Sequence, residues 1–270
     1  MEAPVSSAAN PIVKRMRSLA SRKYRQRESA AVVYGIQPVS QAIHAGTTVQ
    51  ALAYAPDLLQ NRGARALVQE QREAGTRIVP LDAGLFGRLS GRDGHGGLAA
   101  IVTTRYAEPG EIPLGPDVTV VALDRVRNPG NLGTILRTAD ATRAAGVILV
   151  GPTADPYDPA AIKASMGGAF QLPIARLEGT AAFFCWAATK ELPVVTTATR
   201  ADGALWTTRL PARLAVLMGS EGAGLAEEDL ARGSIRLAIP MDGAAESLNL
   251  AVATGVVLYE VWRQRVTSNG

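Results

Sequence analysis

Two rhythms of apolar and polar positions run along the chain and divide it. In the first stretch the elements are short and mixed. Positions 11–20 read as a helix, with Asn10 as N-cap and Pro11 at its first position, where the missing N–H has no partner to lose. Helices follow at 38–45 and 62–74, and strands at 49–55, 77–80 and 98–103. A glycine-rich segment at 91–97 reads as a flexible loop. Residues 108–116 hold three prolines and two glycines, a linker composition. Beyond it the rhythm changes. Apolar runs at 118–123, 147–150, 172–175, 194–198, 214–218 and 235–239 read as strands, the first and longest covered on both faces. Helices at 131–145, 160–170, 180–190 and 247–265 lie between or after them. This alternation predicts an α/β fold with a mostly parallel sheet and helices on both faces. Such sheets take their ligands in loops beyond the carboxyl ends of the strands.

With 270 residues there is room for one large or two modest domains. The expected division is 1–106, a linker at 107–116, and 117–270. A charged fraction of 19% against 47% hydrophobic excludes a disordered chain and a coiled coil. The lone Cys185, in Phe-Phe-Cys-Trp, excludes a disulfide framework and is expected as a buried apolar filler. Two histidines leave little for a metal centre or a serine-hydrolase triad, so no metal is expected. No apolar run approaches the ~18 residues of a membrane span. The opening MEAPVSSAANPIVKRMR has no apolar core for secretion, so a soluble, cytoplasmic protein is expected.

Charge is unevenly placed. Residues 1–106 carry 14 Lys/Arg against 7 Asp/Glu, and residues 107–270 carry 14 against 17. Half of the first part's cations are Lys14, Arg15, Arg17, Arg22, Lys23, Arg25 and Arg27, with no acid among them. Such a cluster suits a polyanion, most simply nucleic acid, and a solvated helix face is the alternative.

Three loops after expected strands are rich in glycine and polar residues: 123–139, 217–225 and 239–253. Glycine lets backbone approach a ligand closely, and free N–H and C=O groups can read a purine edge. Gly219, Gly222 and Gly224 do not make G-x-G-x-x-G, and no G-K-[ST] follows them. Neither a dinucleotide site nor a phosphate loop is supported.

Together the three loops resemble the motifs of the SpoU, or TrmH-like, branch of the SPOUT RNA methyltransferases. The pattern N-x-G-N-x-G-x-x-x-R-T-A is met at 128–139, G-S-E-G-x-G at 219–224, and I-P-M…E-S-L-N-[LV]-x-V-A at 239–253, in family order. The resemblance covers 117–265 well and extends more weakly to the first part, where many members carry a small RNA-binding module. It implies a parallel sheet whose C-terminal region forms a deep trefoil knot, a homodimer with sites at the subunit interface, and S-adenosylmethionine (SAM) as cofactor. The implied reaction is methyl transfer to a ribose 2′-OH of RNA, with rRNA favoured over tRNA. Thiostrepton- and avilamycin-resistance rRNA methyltransferases share this two-domain plan. A catalytically silent RNA-binding protein of the same fold is the alternative.

The resemblance also assigns residues. Arg137 would act on the target ribose across the dimer interface. An arginine is a poor base, since its pKa lies above ~12, so its role reads as stabilising negative charge or gripping a phosphate. Asn131 would position Arg137 or the RNA, or else cap its helix. Glu221 would lie buried beside an arginine, ionised, and orient it. Ser247 and Asn249 would contact substrate, cap the closing helix, or do both. Leu217, Met218, Gly219, Ile239, Met241, Ser247 and Leu248 would frame the cofactor. Lys163 joins the basic cluster as an RNA contact. Trp186, Trp206 and Trp262 read as core or dimer packing, and His95 as solvent-exposed.

Overall fold

The computed structural model describes residues 3–91, 94–201 and 203–268. It divides into two compact units. The first holds the residues up to Arg105 and, in addition, Asp155–Gln171. The second holds Tyr106–Ala154 and everything from Leu172 onward.

The first unit runs α1 (Pro11–Ser18), α2 (Arg22–Glu28), β1 (Ala30–Tyr34), α3 (Ile36–His44), β2 (Val49–Tyr54), α4 (Arg62–Glu73), β3 (Ile78–Pro80), α5 (Ala83–Ser90) and β4 (Leu98–Thr103). Its sheet has the order β1-β4-β2-β3, antiparallel except for β2 with β3. Local chemistry sets the helix starts. Asn10 accepts from Ile12 N at 2.9 Å and Asn61 accepts from Ala64 N at 2.9 Å, each satisfying a donor that the helix leaves orphaned. Ile12, Val13, Met16 and Leu19 pack with Leu85, Phe86 and the inner face of β1, β2 and β4 to make the core. Three of these elements were not expected. The sequence of α2, Arg-Lys-Tyr-Arg-Gln-Arg-Glu, has no apolar period, and α5 contains Gly84 and Gly87. The turn into β1 is made by Ser29 in the left-handed region, φ 46°, without a glycine to mark it. In the glycine-rich segment a short 3-10 turn covers Gly94–Gly97, while Arg92, Asp93 and the His95 side chain lie outside the described residues.

The second unit runs β5 (Thr119–Asp124), α6 (Pro129–Ala141) and β6 (Gly146–Val150). After the excursion that carries α7 (Pro159–Ser165), it resumes with β7 (Ile174–Leu177), α8 (Thr180–Thr189), β8 (Val194–Ala198), β9 (Gly203–Ala204), β10 (Leu214–Met218), α9 (Glu227–Arg232), β11 (Ile235–Ala238) and α10 (Leu250–Ser268). The sheet is wholly parallel, in the order β7-β6-β5-β10-β8-β11-β9. Strands β5, β6 and β10 are buried along their whole length, as their apolar residues require, and Thr119 and Asp124 at the two ends of β5 are buried with them. Strand β10, late in the chain, inserts between β5 and β8. The long α10 packs on α6, and a Cβ added at Gly255 would meet the Thr138 methyl at 3.8 Å.

Two expected boundaries move. The proline-rich segment is no free tether. Ala107 bridges to Ala175, a 3-10 turn forms at Pro109–Glu111, Ile112 is buried in the second core, and Trp186 Nε1 donates to Pro109 O at 3.2 Å. Its apolar side chains anchor what its prolines and glycines alone would leave loose. The helix expected at 160–170 breaks after Ser165. Met166 and Gly167 take φ of 52° and 97°, and a Cβ at Gly167 would sit 2.4 Å from Gln41 Cβ, so only glycine permits that approach to α3. Residues 155–171 pack in the first unit because they complete its charge pairing. Arg25 Nε donates to Asp155 Oδ2 at 2.8 Å and Nη2 to Asp158 Oδ2 at 3.1 Å.

Candidate active site

Four strand ends converge on one cavity of the second unit, about 1130 Å³. The loops after β5, β8, β10 and β11 supply its walls, where an open parallel sheet places its ligands. The loop after β5 turns through Arg125 at φ 51° and runs into α6, whose first turn is capped by Asn128. Asn128 Oδ1 accepts from Gly130 N at 2.8 Å and Asn131 N at 3.2 Å, and Pro129 takes the first helical position. Asn128 is therefore the cap, and Asn131 stands in the helix with its amide free for other work.

That amide joins three loops. Asn131 Nδ2 donates to Glu221 Oε1 at 3.2 Å, and Asn131 Oδ1 accepts from Asn249 Nδ2 at 3.1 Å. Glu221 also accepts from the backbone N–H of Arg127 and of Asn128, both at 3.1 Å. Asn249 Oδ1 accepts from Ala251 N at 2.9 Å and so starts α10. Asn131 thus bridges the other two loops, Glu221 reaches across to the loop after β5, and Asn249 joins Asn131 to the start of α10. Partial desolvation at the cavity rim raises the Glu221 carboxyl pKa, but the N–H donors of Arg127 and Asn128 and the Asn131 amide outweigh it and hold the group below its ordinary 4.5. The expectation of a buried Glu221 beside a guanidinium is corrected: it is exposed, and its donors are backbone and amide.

The middle loop is closed on itself. Ser220 and Gly224 exchange backbone hydrogen bonds, with Ser220 N donating at 3.2 Å and Gly224 N at 3.1 Å. A Cβ on Gly219 would lie 2.2 Å from the Gly224 carbonyl carbon, so only glycine fits where the loop folds back.

The expected cofactor residues divide. Met218, Gly219, Ile239, Met241, Ser247 and Leu248 line the cavity, as do Asn131, Glu221 and Asn249. Leu217 does not: it is fully buried in the sheet core, because side chains alternate along β10 and Leu217 faces the α8 and α9 side. Arg137 does not line it either. It stands exposed on α6 with no hydrogen-bond or ion-pair partner among the described residues. Asn128, Arg127 and Arg200 also line the cavity and were not singled out from sequence. The Asn-Pro pair at a helix start was the available signal for Asn128.

The basic cluster also divides. Lys14, Arg17, Arg22, Lys23 and Arg27 are exposed, as is Lys163 on α7. Arg15 is half-buried and donates to Glu28 at 2.8 Å and to the side-chain amide oxygen of Gln50. Arg27 stacks over the Tyr24 ring at 4.5 Å. Arg25 is corrected: it is 3% exposed, held by Asp155, Asp158 and the carbonyls of Leu19 and Ala20, and has no face left for RNA. Cys185 is likewise corrected, lying exposed on α8 while Phe183, Phe184 and Trp186 take the core face. Among the described residues no group of three His, Cys, Asp or Glu side chains could hold a metal, and no helix is long and apolar enough to cross a membrane.

The Glu221 bonds make a prediction. Glu221→Ala releases Asn131 and two backbone donors at the cavity rim, so turnover should fall at least ~10-fold. The thermal midpoint should move little, because the side chain is exposed. The depressed folded pKa means that the contribution is intact above the ordinary carboxylate value and is lost as pH falls through the lower folded one. Loop order, followed by amide exchange, should therefore persist to pH 4.5 and decay only below it.

Comparison with known proteins agrees with this arrangement. A model of the SpoU rRNA methylase family matches residues 118–259, and one of an MRM3-like substrate binding domain matches residues 10–100. A 23S rRNA (uridine(2479)-2′-O)-methyltransferase of Streptomyces viridochromogenes is 31% identical, over 92% of this chain and 88% of its own length. Among solved structures, the AdoMet-bound rRNA methyltransferase from Sinorhizobium meliloti superimposes with a TM-score of 0.85 at 35% identity, covering 97% of each chain. The SpoU methyltransferase AviRb from Streptomyces viridochromogenes, in complex with AdoMet, gives 0.86 at 30% identity, covering 96% of this chain and 99% of its own. The first of the two family models spans every loop that walls the cavity, and the chain belongs to the SpoU rRNA methylase family.

Proposed function

We propose that the protein is a homodimeric, SAM-dependent methyltransferase acting on a ribose 2′-OH of 23S rRNA. The observation that carries the reading is the Glu221–Asn131–Asn249 network, which ties the three motif loops together at the mouth of one cavity. The cavity fits the cofactor in its chemistry: Leu205, Met218, Ile239 and Leu248 offer apolar surface, and Gly219 lets the loop after β10 fold back tightly on Gly224 at the cavity wall. Met218, Gly219, Ile239, Met241, Ser247 and Leu248 would hold it. When bound, SAM supplies a methyl group already activated by its sulfonium.

The chain's own residues do the rest. Asn131, Glu221 and Asn249 hold the loops in one geometry, and such alignment can be worth ~7–11 kcal/mol of barrier. The Arg137 guanidinium steadies the negative charge that develops on the 2′-oxygen as its proton leaves. Arg137 is absent from its own chain's cavity lining, so it serves the cavity of the partner. Val252, Tyr259, Trp262 and Val266 form an exposed apolar stripe along α10, which packs beside α6, and this stripe is the dimer face. The insertion of β10 between β5 and β8 is the layout that the trefoil knot would use. The first unit, with Lys14, Arg17, Lys23 and Lys163 exposed, holds the RNA.

The test is ligand-linked stability. SAM or its demethylated product should raise the thermal midpoint, by ~2.7 kcal/mol of added stability at a hundredfold excess over Kd. Light scattering should give twice the 28.2 kDa chain mass. No thermal shift at millimolar ligand, or a monomer, contradicts the reading.

A further inference from the structure

The cavity carries charge that its network does not use. Four arginines and two glutamates line it, in a unit whose sequence is net acidic. Arg125 pairs with Asp124 at 2.8 Å, and Arg236 pairs with Glu227 at 2.7 Å. Glu221 is occupied by its three N–H donors. Arg127 and Arg200 remain. Both are exposed, both line the cavity, and neither guanidinium has a hydrogen-bond or ion-pair partner among the described residues. They come from different strand ends, β5 and β8, which lie on either side of β10.

The backbone of Arg127 is held in place. Arg127 N donates to Glu221 Oε2 at 3.1 Å, and the residue before it, Val126, is fully buried and accepts from Ala154 N at 2.7 Å. Arg200 follows the end of β8, where Thr197 Oγ1 donates to Leu217 O at 3.3 Å. A free guanidinium on an anchored backbone loses little order when it meets an oxyanion, and its planar fork matches phosphate oxygens.

We propose that Arg127 and Arg200 form a phosphate clamp at the cavity rim, gripping the RNA backbone where the target nucleotide enters. The proposal rests on the RNA-methylation reading and adds a second zone of RNA contact, in the catalytic unit itself. The clamp reads phosphates and not bases, so it sets register and strength without choosing the sequence.

Full-length wild type, Arg127→Ala, Arg200→Ala and the double variant are titrated with transcribed 23S rRNA over a series of KCl concentrations. Affinity for SAM is measured by calorimetry alongside. Each single replacement should lower the log–log salt slope by ~0.7–0.9, and the double by about twice that. Lysine replacements should restore most of the slope. KM for RNA should rise more than kcat falls, and SAM affinity should stay within about twofold. An unchanged slope in the double variant overturns the clamp. So does an unchanged slope with a tenfold loss of SAM affinity, which assigns the pair to the cofactor's carboxylate. The binding arm needs no turnover: if wild type binds RNA but transfers no methyl, the failure belongs to the methylation reading and not to the clamp.

Discussion

Replacing Arg137 with alanine should lower methyl transfer by roughly a hundred- to a thousandfold, the usual effect of removing one donor that stabilises developing negative charge. The fold should not notice. Arg137 is exposed on α6, touches no polar partner among the described residues, and lies outside the cavity lining of its own chain. Its loss should therefore leave the thermal midpoint and SAM affinity near wild type. Arg137→Lys should recover part of the activity, since it restores the charge without the planar fork. Mixing Arg137→Ala subunits with subunits defective in SAM binding, such as Gly219→Val, should restore some turnover in the heterodimer. One cavity of that dimer is intact and receives Arg137 from the other chain. No recovery in the mixed dimer, or more than about a tenth of wild-type turnover in the alanine variant, contradicts the assigned role.

Arg25→Ala should cost about 3–5 kcal/mol of stability, the range for breaking a buried ion pair by removing one partner. Arg25 and Asp155 are almost wholly buried, and the guanidinium also satisfies the carbonyls of Leu19 and Ala20. Alanine would take the guanidinium away from the buried Asp155 carboxylate and leave those carbonyls without its N–H groups. A double-mutant cycle with Asp155→Ala isolates the pair, and the two losses should be far from additive. The salt slope of RNA binding should be unchanged by Arg25→Ala at temperatures where the variant is folded, whereas Arg17→Ala should lower it. A stable Arg25 variant with a weakened slope would return the residue to the RNA surface. The same pairing places Asp155–Gln171 with the first unit, so a cut near residue 106 would not separate the two units cleanly. Such a cut would leave Asp155 and its segment without the residues that cover them.

What was legible in the sequence follows from how local its cause is. Strands β4, β8 and β10 stand at the expected positions, because short stretches rich in apolar and β-branched residues have few alternatives. The parallel sheet followed from strand–helix alternation, and the three loops from their motif residues. Helix α2 was not legible, because its stability comes from Arg25 and from packing on β1 and not from periodicity. Arg25 itself was misread for the same reason. Its partners lie 130 and 133 residues away, and nothing within 14–27 distinguishes it from Arg22 or Arg27. Glu221 was assigned to the site, but its donors were not. Backbone N–H groups carry no signature in a sequence, and only the loop fold brings Arg127 and Asn128 to it. The trefoil knot was an expectation from resemblance alone, and no pattern of residues says that β10 enters between β5 and β8.

The most direct test of the account is chemical. Purified protein is incubated with 23S rRNA and SAM labelled on the transferable methyl, and the RNA is digested to nucleosides and separated by chromatography with mass detection. Label is expected in a single 2′-O-methylnucleoside, released by ribose cleavage chemistry and absent from the free base, and the Arg137→Ala reaction should give roughly a hundredth of it or less. Label on a base, or RNA that stays unlabelled while the protein binds both SAM and RNA, would contradict the account.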